Sequence, residues 1–503
     1  MTVPRIMSAM ASIRPRPDPD GDRYYRALLA HDARFDGRVF VGVTSTRIYC
    51  RPVCRVRTPK RSNCLFFRHA AAAEQAGFRP CLRCRPELAP GLSLVDSSQV
   101  LAGQAARMIE QGASDGDDLY LPDVARRLGV TDRHLRRIFL DAHGVSPINF
   151  LTTRRLLLAK QLLTDTPLPV TQVAAASGFA SLRRFNAAFR TSYRLSPTAL
   201  RRQGREKSAQ ELVTLRLAYR PPYDVAGVLR FFATRALPGV DVVEGSTLRR
   251  TLALNHQGRP LAGWLAVRFV PGRHELELRL CPSLLPALGS ILQRLRQMLD
   301  LDADPALIDP VLASIPAIRS ERARPGIRVP GGMDGFEIAV RAVLGQQVTV
   351  AAARTLTLRL VERFGAQLQT PFPDLRRLFP DAATLAEARP DTIGKLGIVR
   401  QRVRALQALA VAVAEGRIAL HRGAPLTATL DALRALPGFG EWTTELIAMR
   451  ALAWPDAFPA SDIGVLNALG TRNIRHARAL AETWRPWRSY AVIRLWQTLE
   501  KRP

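Results

Sequence analysis

Four of the six cysteines stand in two close pairs, Cys50-x3-Cys54 in CRPVC and Cys81-x2-Cys84 in CLRC. Two short-spaced pairs separated by one loop are the pattern of a tetrahedral four-thiolate zinc site. By spacing alone, a purely structural ion that staples a small domain is the favoured reading. Cys64 in NCLFF and Cys281 in LRLCPSLL have apolar neighbours and read as small hydrophobes. A second set of chemically able residues lies far downstream. In Leu436-Pro437-Gly438-Phe439-Gly440, closely spaced glycines ahead of a helix let backbone N–H groups approach a phosphate. Some twenty residues later, in AFPASDIGVLNAL, Asp462 precedes an apolar helix. Taken singly, the glycines are ordinary turn chemistry, and an aspartate so placed is most often only an N-cap.

Composition sets the scale of the elements that must position these groups. At 503 residues the chain is too long for one core, and about three to five domains are expected. Lys and Arg number 73 against 43 Asp and Glu, a net charge of +30. Such an excess favours a polyanionic partner, because neutralising phosphates releases counterions. No apolar run reaches the roughly 18 residues of a membrane span, so no membrane partner is expected. The N-terminal MTVPRIMSAMASIRPRPDPDGD lacks an apolar core long enough for a secretion signal and reads as a disordered lead over 1–19. A reducing cytoplasm follows, where clustered cysteines hold metal more often than they form disulfides.

After the loop PGLSLVDSS the pattern turns helical. In LYLPDVARRLGVTDRHLRRIF, Val124, Ala125 and Leu128 share one face, Gly129 makes a turn, and Thr131 can cap a second helix. Leu135, Ile138 and Phe139 of that helix point inward, leaving Arg133, His134, Arg136 and Arg137 outside. VTQVAAASGFASLRRFNAAFR repeats the plan, with Val173 and Ala174, Gly178 as the turn, then Phe185 and Phe189 inward and Arg183, Arg184 and Asn186 outside. These are two helix-turn-helix units with basic second helices, joined by the amphipathic FLTTRRLLLAKQLL. One such hairpin is weak evidence; two in tandem, closing with GVSP and LSPTALR, are stronger.

A breaker-containing joint, RRQGREKSAQ, follows, and a linker near 203–211 predicts beads on a string. Strand-like runs LVTLRLAY, TLRRTLAL, LAGWLAVRFV and HELELRL then alternate with helical YDVAGVLRFFATRAL and LLPALGSILQRLRQMLDL, an α+β module without an evident catalytic cluster. From about 315 the pattern is helical.

Around the cysteines, YYRALLAHDARFDGRVFVGVTSTRIYCRPVCRVRTPKRSNCLFF and GFRPCLRCRPE resemble the N-terminal domain of Ada-type alkylation-response proteins, over roughly residues 20–88. The resemblance implies one zinc ion held by Cys50, Cys54, Cys81 and Cys84, with Cys50 also the irreversible acceptor of a methyl group from a DNA phosphotriester. Zinc keeps thiols ionised at neutral pH, and the thiolate is the nucleophile. Four thiolates on a divalent ion carry a formal charge of −2, and methylating one sulfur leaves −1, which should tighten binding to DNA. Arg47, Arg51, Arg55 and Arg57 crowd the acceptor and are expected to hold the phosphate. Residues 98–202 resemble the AraC-type DNA-binding domain, whose two second helices read successive major-groove turns. Arg194 stands where that family often has glycine.

LPGFGEWTTELIAMRAL and AFPASDIGVLNAL, with RLAYRPPYD, FEIAVRAVLGQQVTV and PWRSYAVIRLW, resemble helix-hairpin-helix DNA glycosylases of the AlkA, 3-methyladenine type, over about 210–498. The resemblance makes the α+β module that family's TBP-like accessory domain. It implies hydrolysis of an N-glycosidic bond after base flipping, with Asp462 stabilising the sugar cation. It also implies a base pocket of Trp442, Trp496 and Gln346, a wedge at Gln347, DNA contact at Gly438 and Gly440, and a monovalent cation at the hairpin carbonyls. Strand-cleaving relatives carry a lysine where Trp442 stands, so lyase activity is not expected. Leu446 replaces an aromatic pocket residue of the best-known relative, and Glu441 and Glu445 oppose the electrostatics of a phosphate site. The chain has no Pro-Cys-His-Arg string of the second Ada methyltransferase, so O6-alkylguanine repair is not expected.

The expected architecture is multidomain and mainly α with α+β parts. It runs as a small four-cysteine zinc α/β domain over 20–90, an all-α tandem helix-turn-helix domain over 95–205, a TBP-like α+β domain over 211–310, and an all-α helix-hairpin-helix glycosylase domain over 315–503. Expected partners are double-stranded DNA, both alkylated DNA and promoter sites, and RNA polymerase, for a monomer in the nucleoid-associated cytoplasm. The competing expectation is a methylation-responsive regulator whose C-terminal half only binds DNA.

Overall fold

The computed structural model describes residues 21–32, 35, 39–67, 72–73, 76–84, 86, 98, 101–106, 108–109, 121–203, 213–256, 258–313, 315 and 324–499. The disordered lead expected over 1–19 lies outside the described residues. The chain forms two compact units. One takes residues up to 106 together with 120–147, and the other takes 107–119 and 148 onwards.

In the first unit, helix α1 (Gly21–Leu29) accompanies a four-stranded sheet, ordered β3-β1-β2-β4, of β1 (Phe40–Val43), β2 (Ile48–Cys50), β3 (Cys64–Phe67) and β4 (Arg79–Pro80). β1 runs antiparallel to β2 and β3, and β4 runs parallel to β2. The two faces alternate with period two. Phe40, Tyr49, Phe67 and Phe78 form one buried cluster, while Val41 and Cys64 join Leu28 in another. Cys64 is thus the strand hydrophobe its neighbours predicted. The first helix-turn-helix also belongs to this unit. Its helices α2 (Leu121–Arg127) and α3 (Asp132–His143) are joined through Gly129 at φ +67°. Thr131 Oγ1 accepts the His134 N–H at 3.2 Å, the expected cap. Leu135, Ile138 and Phe139 are buried as their spacing required.

The second unit begins with α4 (Pro147–Asp165) and the second helix-turn-helix, α5 (Val170–Ala176) and α6 (Leu182–Tyr193). Gly178 turns at φ +80°, and Ser181 caps α6 through the Arg184 N–H. Phe185 and Phe189 are fully buried, with Phe179 ring-packed against Phe185 at 5.2 Å. Beyond it lies an antiparallel five-stranded sheet ordered β5-β9-β8-β7-β6, of β5 (Val213–Ala218), β6 (Asp241–Glu244), β7 (Thr247–His256), β8 (Arg259–Val270) and β9 (Glu275–Leu280). Four of these strands were legible as alternating runs. The edge strand β6 was not, because DVVE offers only two apolar residues.

The joint at 203–211 does not make beads on a string. Leu156, Leu163, Phe185 and Phe189 belong to the same buried cluster as Leu215, Leu278 and Leu284. Gln161 Nε2 also donates to the Arg216 carbonyl at 2.6 Å. The apolar faces of the two modules cover each other, which the composition of a linker does not reveal.

The remaining helices share a second large core that includes Leu344, Leu406, Leu433, Ile447, Val465 and Ile493. Four of these helices bear on function: α7 (Gly335–Leu344), α8 (Glu441–Arg450), α9 (Ile463–Ala468) and α10 (Arg488–Thr498). Glu337 of α7 and Arg250 of β7 form a buried pair at 2.6 Å, which ties the helical core to the five-stranded sheet.

Candidate functional site

Cys50 ends β2, and register with β1 places it opposite Val41. β4, parallel to β2, delivers Cys81, whose N–H donates to the Tyr49 carbonyl at 3.0 Å. The turns after β2 and β4 then bring in Cys54 and Cys84. All four Sγ atoms lie within 4.8 Å of one another, and all four residues are buried. The set fits a tetrahedral metal: four soft donors converge, and no disulfide joins them. As bare thiols they share charge poorly. Hydrogen bonding to Cys54 and then to Cys84, with burial, pushes Cys50 up, while the bonds from Cys50 and Cys84 hold Cys54 down at about 3. Resident zinc would ionise all four.

The arginines of this domain divide. Arg47 is exposed, its guanidinium 5.5 Å from the Phe78 ring centroid, and Arg55 and Arg57 are exposed too. Arg51 departs from the expected phosphate contact. It is fully buried, its Nη1 donates to the Cys84 carbonyl at 3.3 Å, and its own N–H donates to Cys84 Sγ at 3.4 Å. Arg51 therefore braces the thiol cluster from within.

On the basic second helices, Arg133, Arg136, Arg137, Arg183 and Arg184 are exposed and Asn186 is half-buried. Two of them already have local partners. Arg136 pairs with Asp132 at 2.8 Å, and Arg137 Nη2 lies 3.0 Å from His134 Nδ1.

The second site forms where α7, α8, α9 and α10 meet. Asp462 caps α9, its Oδ1 accepting the Val465 N–H at 2.9 Å. The N-cap expectation therefore holds, and yet the residue does more. Trp496 Nε1 donates to the same Oδ1 and Trp442 Nε1 to Oδ2, each at 2.8 Å. Asp462 is 7% exposed, so a buried carboxylate sits in a cradle of three N–H donors. The structure thus joins Trp442, Trp496 and Asp462, which lie up to 54 positions apart in the chain.

The hairpin lies just ahead of α8. Gly438 has φ +81°, where a side chain is strained, and a Cβ there would press on the Ala405 Cβ at 3.1 Å. Gly440 is exposed and caps α8. Gln346, expected in the base pocket, is bonded to the hairpin. Its Nε2 donates to the Gly438 carbonyl at 2.8 Å and to Thr443 Oγ1 at 2.9 Å, which anchors the end of α7 to the hairpin. Gln347 beside it is exposed at φ +53°, a strained conformation for a non-glycine residue, as sparsely populated backbone at working positions often is. Leu446, one turn beyond Trp442, is buried.

The two unexplained acids also find partners. Glu441 pairs with Arg478 at 2.6 Å. Glu445 accepts the Phe458 N–H at 3.0 Å, and burial pushes its carboxyl up despite that bond. Both charges are thereby tempered near the hairpin. Sequence reasoning missed the surroundings of Trp496. A small cleft is lined there by Asp224, Phe231, Arg328, Trp496 and Gln497 among others. No local signal marks these residues, because they come from the sheet module and from α10 together.

Four family models match the chain in order. They are the metal binding domain of Ada over residues 23–87, a helix-turn-helix domain over 124–203, the AlkA N-terminal domain over 214–334, and the HhH-GPD superfamily base excision DNA repair protein over 340–485. The class is therefore a fusion of an Ada-type zinc domain and a helix-turn-helix domain with an AlkA-type helix-hairpin-helix glycosylase. The probable bifunctional transcriptional activator/DNA repair enzyme AlkA of Mycobacterium tuberculosis (strain H37Rv) is 38% identical over 491 residues, spanning 96% of this chain and 97% of that protein. DNA-3-methyladenine glycosylase 2 of Escherichia coli K12 is 34% identical over 285 residues, 56% of this chain and 96% of the relative. The bifunctional transcriptional activator/DNA repair enzyme Ada of the same organism is 34% identical over 126 residues, 25% of this chain and 34% of that relative. The chain belongs to the family of bifunctional transcriptional activator/DNA repair enzymes of the AlkA type.

Proposed function

We propose that the protein senses DNA alkylation by consuming one cysteine, activates transcription of repair genes, and excises alkylated bases of the 3-methyladenine type. Its partners are then alkylated duplex DNA, promoter sites and RNA polymerase, and it acts as a monomer in the nucleoid-associated cytoplasm.

In the sensor, Cys50, Cys54, Cys81 and Cys84 would hold zinc, which when bound supplies ionised thiolates at neutral pH. Cys50 Sγ attacks the methyl carbon of a DNA methylphosphotriester. The S–C bond forms as the C–O bond breaks, the oxygen keeps the electron pair, and a phosphodiester leaves. Burial does not separate Cys50 from its three neighbours, so its role rests on its place in the motif. Loss of one negative charge then eases approach to the phosphates, and the exposed basic helices read the promoter.

In the glycosylase, the alkylated base is flipped out, with Gln347 filling the gap and the hairpin amides at Gly438 and Gly440 holding the backbone. The C1′–N bond breaks with its electron pair leaving on the base. Asp462 opposes the positive charge that develops on the sugar, and water then adds with loss of a proton. A monovalent cation at the hairpin carbonyls belongs to the same reading. Trp442 occupies the place of a Schiff-base lysine, so the strand is left uncut.

The observation that supports the enzyme most directly is the buried, triply hydrogen-bonded Asp462 beside the hairpin. The test is release of free 3-methyladenine from methylated duplex DNA. Asp462→Asn should lower release by about a hundredfold or more. No release by the wild type would leave the competing reading, a regulator whose C-terminal half only binds DNA.

A further inference from the structure

We propose that Trp442 and Trp496 are positioning residues for the excision reaction, acting through their indole N–H groups on Asp462 and not only as aromatic walls for the base. The proposal rests on the glycosylase reading above and deepens it.

An ionised carboxylate offers about four in-plane acceptor sites. At Asp462, Oδ1 accepts from Val465 N at 2.9 Å and from Trp496 Nε1 at 2.8 Å, and Oδ2 accepts from Trp442 Nε1 at 2.8 Å. Among the described residues, one site remains, on Oδ2. The three donors come from α9, α10 and α8, so the carboxylate cannot turn without breaking bonds to separate elements. The close approach of Trp496 uses the missing side chain of Gly464. A Cβ there would lie 3.0 Å from Trp496 Cδ1 and 3.2 Å from its Nε1.

The charged and titratable side chains on the same helices are directed elsewhere. On α8, Glu441 meets Arg478, Glu445 takes the Phe458 N–H, and Arg450 donates to the Pro330 carbonyl. On α10, Arg488 holds Asp456, Tyr490 bonds to Asp300, and Arg494 donates to the Arg324 carbonyl. The α9 sequence IGVLNA carries no charge. The indoles and one backbone amide are therefore the groups that orient the carboxylate here. Asp462 is thus set to face the sugar cation with its remaining lone pair.

Trp442→Phe and Trp496→Phe keep an aromatic ring but remove the N–H. Each should slow single-turnover release of 3-methyladenine about tenfold, the worth of one hydrogen bond to a charged group. The loss should appear in the rate at saturating protein, where weaker DNA binding no longer contributes. Unchanged rates at saturating protein in both variants would overturn the proposal. A second measurement covers variants that fail to fold. In the full-length protein, the indole N–H resonances of Trp442 and Trp496 should both shift on Asp462→Asn, and unmoved resonances would equally overturn it. Failure of the wild type to release any base would sink the glycosylase reading, while the resonances would still decide whether the clamp exists.

Discussion

At Asp462 the ordinary helix cap and the candidate catalytic carboxylate are the same residue. The cap uses Oδ1, and the indoles use both oxygens, so the structural role fixes the carboxylate for the chemical one. At the thiol cluster the division of labour runs the other way, since four like residues in one buried group are expected to have unequal fates. After exposure to excess methylphosphotriester DNA, mass spectrometry should find one added methyl group on the peptide holding Cys50. The peptides holding Cys54, Cys81 and Cys84 should be unmodified. An unmodified Cys50 would count against the sensor and leave a purely structural ion. Arg51 adds a caution for reading basic residues near a metal motif. Its charge looks like a phosphate contact in the sequence, yet the fold spends it on the Cys84 carbonyl.

Among the elements, the two helix-turn-helix units show the same local physics with one informative difference. The second helix of the first unit ends at Gly144 with φ +71°, and that of the second ends at Arg194 with φ +58°. The left-handed cap survives without glycine, at a cost of about 1 kcal/mol for a side chain held there. Arg194→Gly should accordingly stabilise the protein by up to about 1 kcal/mol, measured as a rise in denaturant midpoint with an unchanged slope. A lower midpoint would mean that the arginine makes compensating contacts. Caps, turns and inward faces of these units were legible because they depend on neighbours within four residues. The edge strand β6 was not, since its membership is settled by pairing with β7.

On the scale of the whole molecule, the sheet module and the helical core are locked by buried charge. Burial alone would raise the Glu337 carboxyl, but Arg250 and Arg341 outweigh it and bring it down to about 2. A depressed carboxylate stabilises the fold fully above its unfolded value near 4.5. That stability is lost as the pH falls through about 2. Arg250→Met should leave Glu337 relying on Arg341, at 2.8 Å, and destabilise this unit by about 2–3 kcal/mol at neutral pH. The variant should also lose part of the pH dependence of stability between pH 4.5 and 2, which thermal melts across that range would read. Melts that track the wild type would show that the pair contributes little.

The four-cysteine cluster, the two helix-turn-helix plans, four of the five strands and the position of Asp462 could all be read from the chain itself. Each is written in residues a few positions apart, where spacing, turn chemistry and alternation act directly. What the indoles do could not be read, nor that Gln346 anchors the hairpin, that Arg51 is buried, or that the second helix-turn-helix shares a core with the sheet. Those outcomes depend on which N–H group meets which oxygen, and on which apolar faces cover each other, across tens to hundreds of residues. Only tertiary packing brings such groups within the roughly 3 Å at which a hydrogen bond forms.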